Sequence, residues 1–366
     1  MTAIAGRLSQ DAAVFAFMKQ AMQKRIDEWG VCVGHMPKGK RNKITDVPGV
    51  TVGHCTIEED PYRTGVTVIL PGAENPFYAK PVAAGFVLNG YGKSLGLVQV
   101  EELGVLETPI ALTNTLNVGL VHDALVQLSL ERSHAEGRCL TSVNPIVLEC
   151  NDGKLSDIAG RPVSLAHVRA AMADAREDFQ EGSVGAGRGM ICHGLKGGIG
   201  SASRVVELDG ERYTVGLLVM ANHGHLRDLM IGGAPVGLGI QERMKAESGP
   251  ERGSVIAVVA TDLPVDSRQL GRVLRRAPVG LARLGSHIGH GSGEIMLGFT
   301  TRNTMPFEEG PAVCARAVLR EDLLDHAFRA VIECCEEATL NAMICAETTI
   351  GYKGDVLYAL KDVWKK

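Results

Sequence analysis

Residues 241–261 read QERMKAESGPERGSVIAVVAT, and the character of the chain changes abruptly within this stretch. Residues 241–253 are polar and show no apolar pattern, whereas residues 254–261 form an apolar run that is typical of a buried β-strand. A strand this apolar belongs in a core shared with the preceding chain rather than at the start of a detached domain. The sequence therefore predicts one domain over residues 1–366, although the length would allow two.

Strand and helix patterns are mixed along the rest of the chain, which indicates an α/β (α+β) fold. Short apolar runs bounded by Gly, Pro and Asn predict strands at residues 64–71, 143–150, 211–224 and 294–301. Helical periodicity predicts helices at residues 9–29, 116–131, 164–179, 266–284 and 319–346.

Composition excludes several classes of protein. A net charge of −4 gives no basic face for nucleic acid, and there is no run of about 18 apolar residues to span a membrane. The first residues carry Arg7 and Asp11 and lack the apolar core of a signal peptide. The nine cysteines are an odd number without a CxxC pair, so reduced thiols in a cytoplasmic protein are expected.

Two glycine-rich segments approach phosphate-binding motifs without completing them. Leu88–Ser94 ends like a P-loop, but the first glycine of that motif is replaced by Val87. In the second segment, Gly185-Ala-Gly187 is followed by Met190 where GxGxxG needs its last glycine. Close packing of backbone against backbone explains these glycines better than nucleotide binding does.

Two histidine pairs were weighed as metal ligands. His223 and His225 lie in one loop and His287 and His290 in another, and neither pair belongs to an HExxH motif. A catalytic zinc needs three protein ligands and an open position. The sequence therefore predicts no metal and no cofactor.

The Gly253–Ser254 junction, between the polar loop and the apolar strand, suits one particular chemistry. A serine hydroxyl is able to attack the carbonyl that precedes it, and the resulting ester is then cleaved by water. Glycine before the serine leaves the backbone free to twist. Cleavage would make Ser254 a new N-terminus whose α-amine, with a pKa near ~7.7–8.0, serves as the base for its own hydroxyl.

Seven ordered segments between about residues 44 and 351 resemble the self-processing DmpA-type aminopeptidases, which include L-aminopeptidase/D-Ala-esterase-amidases and β-peptidyl aminopeptidases. They are ITDVPGVTVGH (44–54), TGVTVILP (64–71), LETPIALTNT (106–115), GMICHGLKGGIGSASR (189–204), VMANHG (219–224), GSVIAVVATDLP (253–264) and GSGE (291–294).

The resemblance implies cleavage after Gly253, which divides the chain into an α-chain of residues 1–253 and a β-chain of residues 254–366. It implies Ser254 as the nucleophile, with Asn222 stabilising the oxyanion through its side-chain NH₂ group. It further implies that Ser292 and Glu294 orient the nucleophile and its amine.

Two positions at the end of the 143–150 run concern the substrate. Glu149 falls where the family has an acidic residue suited to a substrate ammonium, the alternative being an exposed carboxylate at a strand end. Asn151, or Cys150 with a different gap, stands where relatives can carry a tyrosine that contributes to the site, and Lys93 stands where relatives often have glutamate. These departures concern the pocket for the first substrate residue.

The family fold is a four-layer α/β/β/α sandwich that resembles the N-terminal-nucleophile hydrolases and the ornithine acetyltransferases. The resemblance implies a homo-oligomer, a tetramer of cleaved αβ units, and substrates that are short peptides, amides or esters beginning with a β-amino acid, a small L-residue or D-alanine. An acyltransferase on the same fold and a nucleotide- or metabolite-binding protein remain as alternatives.

Overall fold

The described residues of the computed structural model, 23–245, 253–307 and 312–364, form two stacked β-sheets with helices on their outer faces. In chain order the strands are β1 (Thr51–Ile57), β2 (Thr64–Leu70), β3 (Ala79–Gly90), β4 (Ile110–Asn114), β5 (Ile146–Cys150), β6 (Ile191–Cys192), β7 (Leu195–Lys196), β8 (Gly198–Leu208), β9 (Glu211–Asn222), β10 (Met230–Ile231), β11 (Ala234–Pro235), β12 (Ser254–Thr261), β13 (Gly293–Pro306), β14 (Thr349–Ile350) and β15 (Val356–Leu357).

The helices connect these strands and cover the sheets. The α-helices are α1 (Leu97–Leu103), α2 (Val118–Ala135), α3 (Leu165–Ala173), α4 (Gly237–Met244), α5 (Ser267–Leu274), α6 (Ala277–Arg283), α7 (Leu324–Ile344) and α8 (Leu360–Val363). Short 3-10 turns are formed by Ile26–Trp29, Ile44–Asp46, Thr115–Asn117, Ile158–Gly160, Gly185–Gly187, Leu226–Asp228 and Glu321–Leu323.

The larger sheet has the strand order β3-β13-β12-β9-β8 and the smaller sheet has the order β1-β2-β4-β5. Strands β12 and β13 are parallel, and β12 is antiparallel to β9 on its other side. The apolar run that begins at Ser254 is therefore the central strand of the larger sheet. Both of its faces are covered, which explains why every residue from 254 to 261 is buried and why the run lacks polar alternation.

Three apolar cores separate the four layers. The core between the sheets contains Ile110, Leu148, Ile256 and Val258, among others. A second core lies between the larger sheet and α5, α6 and α7, and a third lies between the smaller sheet and α2 and α3. The predicted four-layer α/β/β/α sandwich is thereby confirmed.

Several predicted elements have different bounds in the structure. Residues 9–22 of the first predicted helix lie outside the described residues, and its end is the 3-10 turn at Ile26–Trp29. The helix predicted at 164–179 ends at Ala173, because the main chain of Arg176 then pairs with Val52 in two hydrogen bonds of 3.1 Å. The helix predicted at 266–284 is two helices, the second of which carries proline in its first turn.

The glycine-rich stretch at 182–200 packs backbone against backbone, as predicted. A Cβ on Gly187 would lie 2.5 Å from the amide nitrogen of Ile199, and a Cβ on Gly197 would lie 3.0 Å from that of Cys192. Each glycine is needed because another main chain occupies the space a side chain would fill. The nine cysteines are all free thiols, and no helix within the described ranges has both the length and the apolar character to cross a bilayer.

Candidate active site

The predicted nucleophile lies at the beginning of the central strand of the larger sheet. Ser254 pairs with Asn222, the last residue of β9, on one side and with Gly293, the first residue of β13, on the other. Ile256 and Met220, two residues further along their strands, belong to the core between the sheets. Because side chains alternate along a strand, Ser254 and Asn222 project from the same face as these two residues, toward the smaller sheet.

The carbonyl oxygen of Gly253 is held on two sides. The hydroxyl of Ser254 donates to the Gly253 oxygen at 2.6 Å, and the amide of Gly293 donates to the same oxygen at 3.3 Å. The hydroxyl therefore already lies against the carbonyl group that the self-cleavage hypothesis requires it to attack.

Glycine is required at position 253 for a steric reason that the sequence did not reveal. A Cβ there would meet the carbonyl oxygen of Asn222 and lie 2.8 Å from Cα of His223. Both obstacles are backbone atoms, which cannot rotate away as a side chain can. The close approach fixes the main chain just before Ser254 against the end of β9.

We expect Gly253→Ala to destabilise the fold and to slow self-cleavage at least tenfold. Stability is compared between the double variant Gly253→Ala/Ser254→Ala and Ser254→Ala alone, because neither chain is able to cleave itself. Denaturant unfolding should show that the double variant loses about 1–3 kcal/mol in its free energy of unfolding, as for other overpacked sites. Gly119→Ala is the matched control, because a Cβ on Gly119 meets nothing within 4 Å. Equal stability of the two chains, or normal cleavage of Gly253→Ala, would contradict the steric argument.

Asn222 is fixed so that one of its side-chain N–H groups remains available. Its Oδ1 accepts a hydrogen bond of 2.8 Å from the amide of Ile191, and its Nδ2 donates to the carbonyl oxygen of Asn151 at 3.2 Å. A primary amide has two N–H donors, so the second is available to an oxyanion. The role that the resemblance implied for Asn222 stays a prediction, and this second N–H is the donor that it requires.

Ser292 and Glu294 lie on either side of Gly293 in sequence, and their side chains meet. The hydroxyl of Ser292 donates to Oε1 of Glu294, and both residues are fully buried. Nδ2 of Asn89 donates to the carbonyl oxygens of Ser292 and Gly289, which holds the turn before β13. The sequence analysis missed Asn89, which offered no motif of its own.

Glu149 is held in the interior at the end of β5. Its Oε1 accepts from the amide of Lys93 at 2.8 Å, its Oε2 accepts from the hydroxyl of Thr115, and it is only 2% exposed. The alternative interpretation, an exposed carboxylate at a strand end, is therefore wrong. Gly92 lies between this carboxylate and Ile295 of β13, the strand that pairs with the strand of Ser254.

Asn151 enters the site through its main chain. Its carbonyl oxygen is the acceptor for Asn222, whereas its side-chain oxygen accepts from the amide of Gly153 at 3.0 Å. The neighbouring carboxyl of Asp152 is buried, which raises its pKa to about 6, and it accepts a hydrogen bond of 3.0 Å from Asn114. The turn after β5 is thus fixed from both sides.

One buried group of the described residues has donor atoms suited to a metal ion. Atoms of Cys192, His193 and His223 lie within 4.8 Å of one another. Burial lowers the pKa of His223 to about 3, so that its imidazole is neutral. The structure thus places His223 beside His193 rather than with His225, whose ring stacks on His287 with centroids 5.4 Å apart.

Most of the chain matches a known peptidase family. The sequence model of peptidase family S58 matches residues 42–357. The chain belongs to peptidase family S58. The family assignment confirms the resemblance drawn from the seven segments, and with it the class of hydrolase.

Relatives within family S58 cover nearly the whole chain. Two beta-peptidyl aminopeptidases BapA are similar to it: that of Sphingosinicella xenopeptidilytica is 39% identical over 88% of this chain and 85% of its own, and that of Sphingosinicella microcystinivorans is 38% identical over 98% and 93%.

Three solved structures are similar to this chain over nearly its whole length. The PH0078 protein of Pyrococcus horikoshii OT3 has a TM-score of 0.87 and 46% identity, covering 92% of this chain and 96% of that chain. The beta-aminopeptidase of a Burkholderia species has a TM-score of 0.85 and 40% identity, covering 94% and 100%. The L-aminopeptidase D-Ala-esterase/amidase of Ochrobactrum anthropi, described as a variant of the Ntn hydrolase fold, has a TM-score of 0.85 and 36% identity, covering 92% and 95%.

Proposed function

We propose that this chain is a serine aminopeptidase that activates itself by cleaving the Gly253–Ser254 bond. The observation that carries the proposal is the position of Ser254, with its hydroxyl on the preceding carbonyl oxygen and Asn222 beside it in the sheet. The products would be an α-chain of residues 1–253 and a β-chain of residues 254–366. They would stay together, because two strands of the β-chain are hydrogen-bonded to strands of the α-chain: β12 pairs with β9, and β13 pairs with β3.

Self-cleavage begins with attack of Ser254 Oγ on the carbonyl carbon of Gly253. The C–N bond breaks, the nitrogen takes up a proton, and an ester forms between the Gly253 carbonyl and Oγ. Water then hydrolyses this ester, which restores the hydroxyl and leaves a carboxylate on Gly253. The amide of Gly293, already 3.3 Å from the carbonyl oxygen, is placed to stabilise the negative charge that develops there.

The liberated α-amine makes Ser254 a nucleophile toward other peptides. The amine takes the proton of Oγ as Oγ attacks the first carbonyl of the substrate, and the free N–H of Asn222 donates to the oxyanion. The amine then gives the proton to the leaving group, and an acyl-enzyme remains. Water cleaves this ester and releases the first residue of the substrate. In this scheme the buried pair Ser292 and Glu294 orients the amine.

The position of Glu149 supports the proposal that the substrates of this chain have a free N-terminal amino group. Its carboxylate is buried, accepts hydrogen bonds from Lys93 and Thr115 within the described part of the chain, and has lone pairs left for a substrate ammonium. The proposed substrates are short peptides, amides and esters that begin with a β-amino acid such as β-alanine, a small L-residue or D-alanine.

Glu149→Gln should raise KM for an amide with a free amino group roughly tenfold or more and change kcat less, since a charged hydrogen bond is worth about 1.5–3 kcal/mol. Steady-state kinetics on β-alanyl and L-alanyl p-nitroanilides measure this effect. The N-acetylated forms of both substrates are the control, because without an ammonium the variant and the wild type should differ little. An unchanged KM for the free-amine substrates would refute the role of Glu149.

Assembly and location are further parts of the proposal. We infer a tetramer of cleaved αβ units in the cytoplasm. Exposed apolar side chains at the end of β3 and in the segment after it, among them Val87, Tyr91 and Val98, offer surface for contact between copies. The free thiols of Cys32 and Cys139, both exposed, are compatible with a reducing compartment.

Mass spectrometry under denaturing conditions, followed by a substrate screen, tests the proposed function. Two fragments that meet at Gly253–Ser254 and turnover of β-alanyl, L-alanyl or D-alanyl amides are the expected results. A single full-length mass would show that no α-amine is formed at Ser254, which would rule out the mechanism. Release of the acyl group to an added amine instead of water would point to the acyltransferase alternative.

A further inference from the structure

The peptide group between Met190 and Ile191 connects a buried lysine to the oxyanion donor. On one side of this group, the Ile191 amide donates to Oδ1 of Asn222 at 2.8 Å. On the other side, the Met190 carbonyl oxygen accepts from Nζ of Lys196 at 2.8 Å and from the amide of Gly197 at 2.9 Å. The path from the lysine to the asparagine therefore consists of one planar peptide unit with a hydrogen bond at each end.

The side-chain nitrogen of Lys196 is surrounded by main-chain oxygens. Its Nζ donates to the carbonyls of Gly187, Met190 and Gly197 at 3.1, 2.8 and 2.8 Å, and the residue is fully buried. Three acceptors match the three protons of an ammonium group, whereas a neutral amine has only two. Among the described residues, no carboxylate forms an ion pair with Lys196, so its charge acts on the peptide groups around it.

We propose that Lys196 is a positioning residue for the oxyanion hole. The positive charge of its ammonium group polarises the Met190–Ile191 peptide, and this peptide in turn polarises the side-chain amide of Asn222. The inference rests on the proposed function, since it assigns a source of polarisation to the same oxyanion donor. An ammonium on the carbonyl oxygen strengthens the N–H of that peptide as a donor. That N–H then draws charge from Oδ1, which strengthens the Nδ2 donor in turn.

The relay is rigid as well as polarised. Lys196 pairs with Ile191 across the β6–β7 hairpin, and its own amide donates to the carbonyl of Tyr358 at 2.8 Å. Donors that are fixed before the charge develops cost no reorganisation during the reaction, and they act more strongly in an interior that excludes water. The lysine thus contributes to the transition state without touching the substrate.

Burial opposes the positive charge of Lys196, and the carbonyl acceptors around its Nζ favour it. Burial lowers the pKa of Lys196 well below its usual value, and the neighbouring Arg188 lowers it further, whereas Cys192, Asp152 and Glu58 oppose them. The three carbonyl acceptors compensate for the water that the ammonium has lost.

The test compares a ligand that forms an oxyanion with one that does not. β-Alaninal adds to Ser254 Oγ as a tetrahedral hemiacetal, while 3-aminopropanol occupies the same pocket without forming one. For cleaved Lys196→Met we expect kcat to fall about 10- to 100-fold with KM nearly unchanged. The inhibition constant for the aldehyde should rise by a similar factor, and that for the alcohol should stay the same.

Two further variants make the result decisive. Lys43→Met is the matched control, because Lys43 is also a buried lysine that donates to a carbonyl, that of Phe179 at 2.6 Å, and it has no hydrogen bond to Asn222 or to the Met190–Ile191 peptide. It should lose stability and keep the ratio of aldehyde to alcohol affinity. If Lys196→Met does not fold, Lys196→Gln removes the charge and retains two donors.

An unchanged affinity ratio in either Lys196 variant would overturn the inference. So would a folded Lys196→Gln chain that fails to cleave itself, because the lysine would then serve processing rather than the oxyanion donor. Both results leave the proposed function standing. That function fails separately, if the wild-type chain shows neither the two fragments nor turnover.

Discussion

Ser254→Ala is expected to yield a single full-length chain without measurable aminopeptidase activity. The substitution removes the hydroxyl that donates to the Gly253 carbonyl oxygen, and with it both the self-cleavage and the nucleophile for substrates. Loss of a nucleophile in a comparable serine hydrolase lowers kcat by about 10⁶-fold. The two measurements are an intact-mass spectrum under denaturing conditions and the rate of amide hydrolysis.

A second Gly–Ser dipeptide gives the control for this substitution. Gly285–Ser286 has the same two residues, and Ser286 is also buried, yet it lies in the turn after α6 rather than at the start of a central strand. Ser286→Ala should therefore be cleaved and active like the wild type. Fragments from Ser254→Ala, or retained hydrolysis by its intact chain, would exclude Ser254 as the nucleophile.

The central strand shows how much the sequence reveals about this fold. Residues 254–261 were predicted as a buried strand with both bounds correct, because no polar residue interrupts the run and a charged loop precedes it. The residues around Arg176 were predicted as helix and are not. Their helical periodicity is genuine, but the two main-chain hydrogen bonds to Val52 of β1 end the helix, and no local pattern reports a partner so distant in sequence.

The candidate site divides along the same line. Ser254 was predicted from the Gly253–Ser254 junction and from family resemblance, and Asn222, Ser292 and Glu294 were predicted from the resemblance, because each occupies a short motif. The groups that orient them were missed. Lys196 binds carbonyl oxygens, and Ile191 uses its main-chain amide, so the residue types at the other ends of these bonds carry no signal. Only the folded backbone brings them together.

In this candidate site, main-chain groups hold the proposed reacting groups in position. The carbonyl of Gly253 is held by the amide of Gly293, and Asn222 is held by the amide of Ile191 in β6 and the carbonyl of Asn151 after β5. Backbone atoms of a packed sheet move less than side chains do, and they need not be chosen by residue type. The side chains proposed to do the chemistry could therefore be predicted from the sequence, whereas the main-chain groups that hold them are seen only in the structure.

Asn222→Ala should produce the second large effect, a fall in kcat of about 10²–10³, which corresponds to roughly 2.7–4 kcal/mol of transition-state stabilisation. KM should change little, because the amide donor acts on charge that appears only in the transition state. The measurement is steady-state hydrolysis of β-alanyl p-nitroanilide by the cleaved variant, with cleavage checked by mass.

The matched control is another buried asparagine whose amide donates to the main chain. Nδ2 of Asn303 donates to the carbonyls of Val265 and Ala317 at 3.0 and 2.8 Å, and neither lies in the candidate site. Asn303→Ala should lose stability and keep its kcat. If Asn222→Ala instead raised KM and left kcat intact, the asparagine would bind the ground state, and the oxyanion would have to be stabilised by main-chain amides alone.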